Sequence, residues 1–171
     1  PYKDTYVKQA LVAENEFRMQ QPKYVTLPTF AEAKEVLPKP IWAGHEEEIN
    51  MYWRAWEIGV GNLRNPQPGS GFIMPYIDTA YNGNIFMWDS SFILMFARYG
   101  ARFFPFQNTL DNFYAKQHPD GFICREIKAD GADCFERYDP VSTGPNLIPW
   151  CEMVYFHQFG DMERLHKIFP V

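Results

Sequence analysis

Clustered basic residues, membrane-length apolar runs, paired cysteines and nucleophile elbows are all missing from this chain, and each absence argues against a class of function. Lys and Arg together number 16 against 21 Asp and Glu, a net charge of −5, with no run of cations. Phosphate backbones are held by clustered cations, so a nucleic-acid partner is not expected. No apolar stretch approaches the ~20 residues of a membrane span. The longest, over 92–106, is broken by Arg98 and Arg102. The three cysteines, Cys124, Cys134 and Cys151, show no C-x-x-C pair and no histidine at zinc-like spacing. An odd count cannot close completely into internal disulfides, although Cys124 and Cys134 bracket a short polar loop and could pair in an oxidising compartment. Ser90 and Ser91 lack the Gly-x-Ser-x-Gly setting of a serine hydrolase. No EF-hand-like loop occurs, and neither a metal nor a cofactor is expected. No signal-like apolar core follows Pro1. The compartment stays open, with a periplasmic or secreted one favoured over the cytoplasm.

What the chain has is aromatic side chains. They make up 18% of it, more than a core of this size needs, and the excess fits a sugar-binding surface as well as a large core. Residues 1–40 are punctuated by Pro22, Pro28, Pro38 and Pro40, which predicts an extended lead-in with short helical pieces near 5–20 and 30–36. A helix follows from Glu46, whose acidic first turn suits the helix dipole. Its Ile49, Tyr52, Trp53 and Trp56 share one apolar face. Residues 63–86, rich in Gly, Pro and Asn, read as a long loop of the kind that usually carries function. Further helices are expected over 89–104, 106–116, 147–159 and beyond Asp161. A short strand at 122–127 pairs with 135–138 in a small hairpin. The class is all-α with one small β-hairpin.

Residues 84–92, Asn-Ile-Phe-Met-Trp-Asp-Ser-Ser-Phe, are the most informative in the chain. They set Trp88 beside Asp89 at the mouth of a helix. An indole lies flat on the C–H face of a sugar ring, and a carboxylate accepts bonds from neighbouring sugar hydroxyls. Equally, Asp89 could be an N-cap and Trp88 a core residue. Phe86 and Tyr81 could extend the aromatic wall. Arg125 and Glu126 are either part of the same pocket or a solvated pair on a hairpin. Glu152 reads as structural and His157 as packed or on the surface. Asp78 and Asp139, in loops, are alternative acids.

The Trp-Asp-Ser-Ser-Phe stretch resembles the Trp-Asp-Ser-aromatic-Phe signature of trehalases and the related motif of family 63 glycosidases, with Ser91 where the aromatic stands. Residues 117–126, Gln-His-Pro-Asp-Gly-Phe-Ile-Cys-Arg-Glu, are similar to the Gln-x-x-Asp-Gly-aliphatic-Ile-x-Arg-Glu segment of the same enzymes. Residues 143–150, Thr-Gly-Pro-Asn-Leu-Ile-Pro-Trp, resemble their Pro-Pro-Leu-x-x-Trp helix start, with Asn146 replacing the second proline. The resemblance covers about 37–171. It implies the helical hairpins of a six-hairpin, or (α/α)6, toroid over 41–171. It also implies an inverting, exo-acting hydrolase of an α-linked gluco- or manno-configured sugar, with Trp88 and Asp89 gripping the non-reducing residue. Such a toroid needs about twelve helices, roughly 300–450 residues. The expectation is therefore the N-terminal part of a longer enzyme whose general acid and base lie elsewhere, its partners being a glycoside or oligosaccharide and the remainder of the chain. A rival keeps the scaffold but not the chemistry: a carbohydrate-binding or interaction module without turnover. A second, a sugar epimerase on a related toroid, wants histidines facing the pocket, and the four here are scattered.

Overall fold

The computed structural model of the chain describes residues 14–79, 82–137, 139 and 146–171. Thr29 starts the first helix, α1 (Phe30–Val36), by a reciprocal cap. Its hydroxyl accepts the Glu32 N–H, and the Glu32 carboxylate accepts the Thr29 N–H and hydroxyl. Those bonds from Thr29 hold the Glu32 carboxyl below its ordinary range. Helix α2 (Glu46–Gly61) opens on three glutamates and buries Trp56, Gly59 and Val60. Ile49, Tyr52 and Trp53 lie half-buried on the same side. This is the apolar face that the spacing predicts.

The segment after α2 departs from the expectation of a long loop. Strand β1 (Leu63–Arg64) pairs antiparallel with β2 (Tyr76–Ile77), and β3 (Ile85–Phe86) pairs antiparallel with β4 (Glu126–Ile127). Each strand has two residues, too few for an alternating pattern to show in sequence. The expected partner of 122–127 is corrected as well. Ile85 and Phe86 pair with it, and an isolated bridge between Ile127 and Asp133 closes the intervening turn. Tyr138, in the expected partner strand, lies outside the described residues.

Two side chains of α4 (Thr109–Ala115) hold the extended segment around β2. The wholly buried Asn112 accepts the Ile73 and Met74 N–H groups on Oδ1, at 2.8 and 3.0 Å, and donates from Nδ2 to the Met74 carbonyl. Thr109 Oγ1 accepts the Ile77 N–H. A backbone without a neighbouring strand is thus satisfied by helix side chains, as burial requires. Part of the expected lead-in is also tied to α4. Asn15 donates to the Tyr114 carbonyl and to Gln117, and the Phe17 ring lies 5.0 Å from that of Tyr114. Of the helical piece expected over 5–20, Glu16–Met19 forms a 3₁₀ turn, and residues 5–13 lie outside the described part.

Helix α3 (Met87–Ala97) begins two residues before the expected Asp89. It gives way to a 3₁₀ turn at Arg98–Gly100 rather than running to 104. Packing accounts for the early end. A Cβ on Gly100 would meet Phe103, Phe106 and Trp56 at 2.6, 2.9 and 3.0 Å, so the chain turns where three rings close on bare backbone. Helix α5 (Ile148–Phe159) has Pro149 in its first turn and stops at Gly160, which adopts φ +65°. Asp161 then accepts the Arg164 N–H and caps α6 (Met162–Ile168). Helix, 3₁₀ turns included, covers 47% of the described residues, so the helical class holds in its coarse form, with two small sheets among those residues in place of one hairpin. No helix among those residues is long and apolar enough to cross a membrane.

Gly131, in the turn after β4, sits at φ +88°, and a Cβ there would fall 1.7 Å from the Ser70 carbonyl oxygen. Gly69 shares the positive φ, at +82°, but has open space around it. Gly131→Ala is therefore expected to cost about 2–4 kcal/mol through strain and backbone clash, and Gly69→Ala only about 1 kcal/mol. Urea denaturation of the two variants checks this. Equal losses would show that the contact with Ser70 is unimportant.

Candidate functional site

Phe86 is paired with Glu126 across the β3–β4 ladder, and the Met87 N–H donates to the Arg125 carbonyl at 2.8 Å. Two bonds' worth of sheet thus bring residues separated by some forty positions to the mouth of α3. Phe86 occupies the N-cap position of α3 with no side-chain cap. Asp89 falls inside the first turn, so the capping reading of Asp89 is overturned by where the helix begins. Its carboxylate is exposed and has no hydrogen-bond or ion-pair partner among the described residues.

The core reading of Trp88 is corrected too, because the ring is 47% exposed. One turn on, Phe92 is 46% exposed, and on α5 so is Trp150 at 46%. The ring centroids of Trp88 and Phe92 are 5.5 Å apart, and those of Phe92 and Trp150 are 5.9 Å apart. The packing of α3 against α5 makes this row. Trp150 was not among the candidate site residues. Its signal was present as the last residue of the third motif. Tyr81 lies outside the described residues.

Arg125 and Glu126 do not pair with each other, which removes the solvated-pair reading. Glu126 accepts from Asn84 Nδ2 at 2.9 Å. Its carbonyl accepts the Cys134 N–H and the Cys124 thiol. Arg125 stacks on Phe135, with Cζ 3.9 Å from the ring centre, and its buried Nε has no hydrogen-bond partner. All three cysteines are free thiols. Burial, with Glu126 nearby, pushes the Cys134 thiol up to about 11. No cluster of three or more His, Cys, Asp or Glu among the described residues could hold a metal ion. Asp78, an alternative acid, is buried in an ion pair with Arg64 Nε at 3.0 Å. His157 is exposed.

A cavity of about 850 Å³ is lined by Met87, Arg125, Gln117, Asn146 and Glu152 among others. Glu152 is saturated. It accepts from Arg164 Nε at 2.8 Å, from Arg164 Nη2 at 2.5 Å, from Gln107 Nε2 at 2.8 Å and from the Tyr114 hydroxyl at 2.7 Å. Arg164 Nη1 also reaches Asp111 at 3.0 Å. Burial alone would lower the Arg164 pKa, but the Glu152 bonds and the Asp111 charge raise it further above its usual range. Burial and Glu152 likewise push the Tyr114 hydroxyl well up. One guanidinium between two carboxylates leaves an excess negative charge, and burial raises Asp111 to about 6 despite Arg164. The network fixes three helices rather than offering a free acid.

Because the folded Asp111 carboxyl holds its proton more tightly than the unfolded one, its contribution is fully present below about pH 4. It is lost as pH rises through about 6. The shift corresponds to about 3 kcal/mol. Asp111→Asn removes that loss, so its stability relative to the parent is expected to rise by up to this amount between pH 4 and pH 7. Urea midpoints at both pH values check it, and a pH-independent difference would rule the linkage out.

Against protein-family models, curated proteins and solved structures the chain returns no match.

Proposed function

We propose that these residues form the sugar-binding subsite of an inverting, exo-acting glycosidase of the helical-toroid type, taking an α-linked gluco- or manno-configured sugar. The observation that carries this reading is the β3–β4 ladder. It joins the Trp88–Asp89 helix start to Arg125 and Glu126, two of the three motifs on which the resemblance rests. The ring row through Trp150 brings in the third.

The chemistry follows from the side chains. Trp88, extended by Phe92 and Trp150, offers flat apolar faces to the C–H side of sugar rings. Asp89, with no partner among the described residues, can accept from two adjacent hydroxyls. On this reading Phe86, at the N-cap position of α3, extends the aromatic wall. Arg125 and Glu126 supply a donor and an acceptor from the neighbouring strand. On this reading the general acid and the base that activates water, ~6.5–9.5 Å apart in inverting enzymes, come from further helical hairpins.

Methyl α-glucoside and methyl α-mannoside, titrated against tryptophan fluorescence and by calorimetry, test the subsite. Trp88→Ala is expected to weaken binding about five- to thirtyfold, as the loss of ~1–2 kcal/mol of stacking implies. The melting temperature should hardly change, because the ring is half exposed. Undiminished binding by the variant would sink the subsite. Release of p-nitrophenol from the matching aryl glycosides separates an enzyme from a binding module, since the latter binds and does not turn over.

A further inference from the structure

The chain carries a net charge of −5, yet one depression in its surface has the opposite balance. It encloses about 480 Å³, and its wall includes Arg18, Lys116, His118, Gly131 and Asp133. Three segments converge there. Arg18 comes from the 3₁₀ turn that Asn15 and Phe17 tie to α4. Lys116 follows the last residue of α4, and His118 lies in the turn beyond it. Asp133 is placed by its backbone bridge to Ile127, and Gly131 by its close approach to Ser70.

The charges in this wall do not cancel. Asp133 is its one carboxylate among the described residues, and it is committed to His118 Nε2 at 2.7 Å. Glu14 and Glu16, beside Arg18 in the chain, lie outside the wall. Arg18 is exposed and has no hydrogen-bond or ion-pair partner among the described residues. Lys116 Nζ donates only to the Ser70 carbonyl, at 3.4 Å, longer than the usual ~2.7–3.2 Å. An ammonium so loosely held keeps donors for a ligand. His118 Nδ1 likewise has no partner among the described residues.

A guanidinium, an ammonium and an imidazole lining one space suit an acceptor with more oxygens than a carboxylate has. A phosphoryl group presents three and carries a charge of about −1.5 to −2 near neutral pH. With one of those oxygens on Nδ1 and Asp133 on Nε2, the imidazole carries both protons, and Asp133 answers its charge. The volume falls within the ~300–1,000 Å³ of small-molecule sites, which leaves room for an organic body beside the phosphoryl group. We propose that this depression binds a small phosphate monoester, with Arg18, Lys116 and His118 as donors to its phosphoryl oxygens. The inference does not rest on the sugar reading, since Phe86, Trp88, Asp89, Arg125 and Glu126 all lie outside this wall.

Calorimetric titration of the purified chain with glycerol 3-phosphate, glucose 6-phosphate and inorganic phosphate tests it. The salt is kept at about 0.15 M, where attraction between distant exposed charges is screened. One ester is expected to bind one-to-one and tighter than inorganic phosphate. Arg18→Gln and Lys116→Gln should each weaken it about tenfold or more, the scale of a charge-assisted hydrogen bond. Arg18→Gln should leave the melting temperature unchanged, because the side chain is exposed and unpartnered, so its loss of binding is not a loss of fold. Trp88→Ala should leave ester binding unchanged. Binding that disappears in Trp88→Ala places the ester in the sugar subsite and overturns the proposal. Inorganic phosphate bound as tightly as either ester assigns the depression to free phosphate and overturns the monoester. Binding that neither Arg18→Gln nor Lys116→Gln alters, or no binding of any probe at millimolar concentration, overturns the site itself.

Discussion

The buried guanidinium of Arg164 is the interaction on which this part of the structure depends. It draws Glu152 from α5 and Asp111 from α4 onto one residue of α6, with Gln107 and Tyr114 closing the remaining positions. Replacing such a network by apolar groups of the same shape can be neutral, but removing one member leaves an uncompensated buried charge. The chain therefore holds α4, α5 and α6 in one relative arrangement. That arrangement fixes where Trp150 meets Phe92, and it leaves Glu152 with no capacity for a ligand on the cavity wall.

The second constraint is small. Two residue pairs of sheet and one further backbone bond join β3 to β4, yet they bring the helix start at Met87 to Arg125 and Glu126. A pairing this short is marginal by itself. It persists because both strands are clamped from outside. Ile85 and Ile127 are wholly buried, and the turn after β4 lies against Ser70 at Gly131, where no side chain fits. The candidate site is thus carried on rigid elements rather than on a free loop.

Exposed charge and exposed rings have different meanings on this surface. Asp89 and Trp88 stand open, as groups that meet a solvated ligand must. Arg125 is half-buried and stacked, its Nε denied any partner, which is a poor arrangement for a residue that only solubilises. The aromatic row across α3 and α5 is one part of the unusual aromatic content that the core does not use. Trp56, Phe103 and Phe106 are the part that it does.

The sequence by itself determined what is local. The capping box at Thr29, the acidic start and apolar face of α2, the glycine stop of α5 and the Asp161 cap all follow from side chains reaching their own neighbours within a turn. It also marked Trp88, Asp89, Arg125 and Glu126 as candidates, because their motifs are contiguous. Only the tertiary structure decided that β3 pairs with β4, that α3 begins at Met87 and bends at Gly100, and that Asp89 is no cap. Strands of two residues carry no periodic signal, and the ring of Trp56, which closes on Gly100 from another helix, leaves no mark in the sequence around the helix end. The Glu152–Arg164–Asp111 cluster was hidden for the same reason: its members lie apart in the chain, and although Glu152 reads as structural, nothing local names its partners. Burial turned them into a network, and burial is a property of the packed chain.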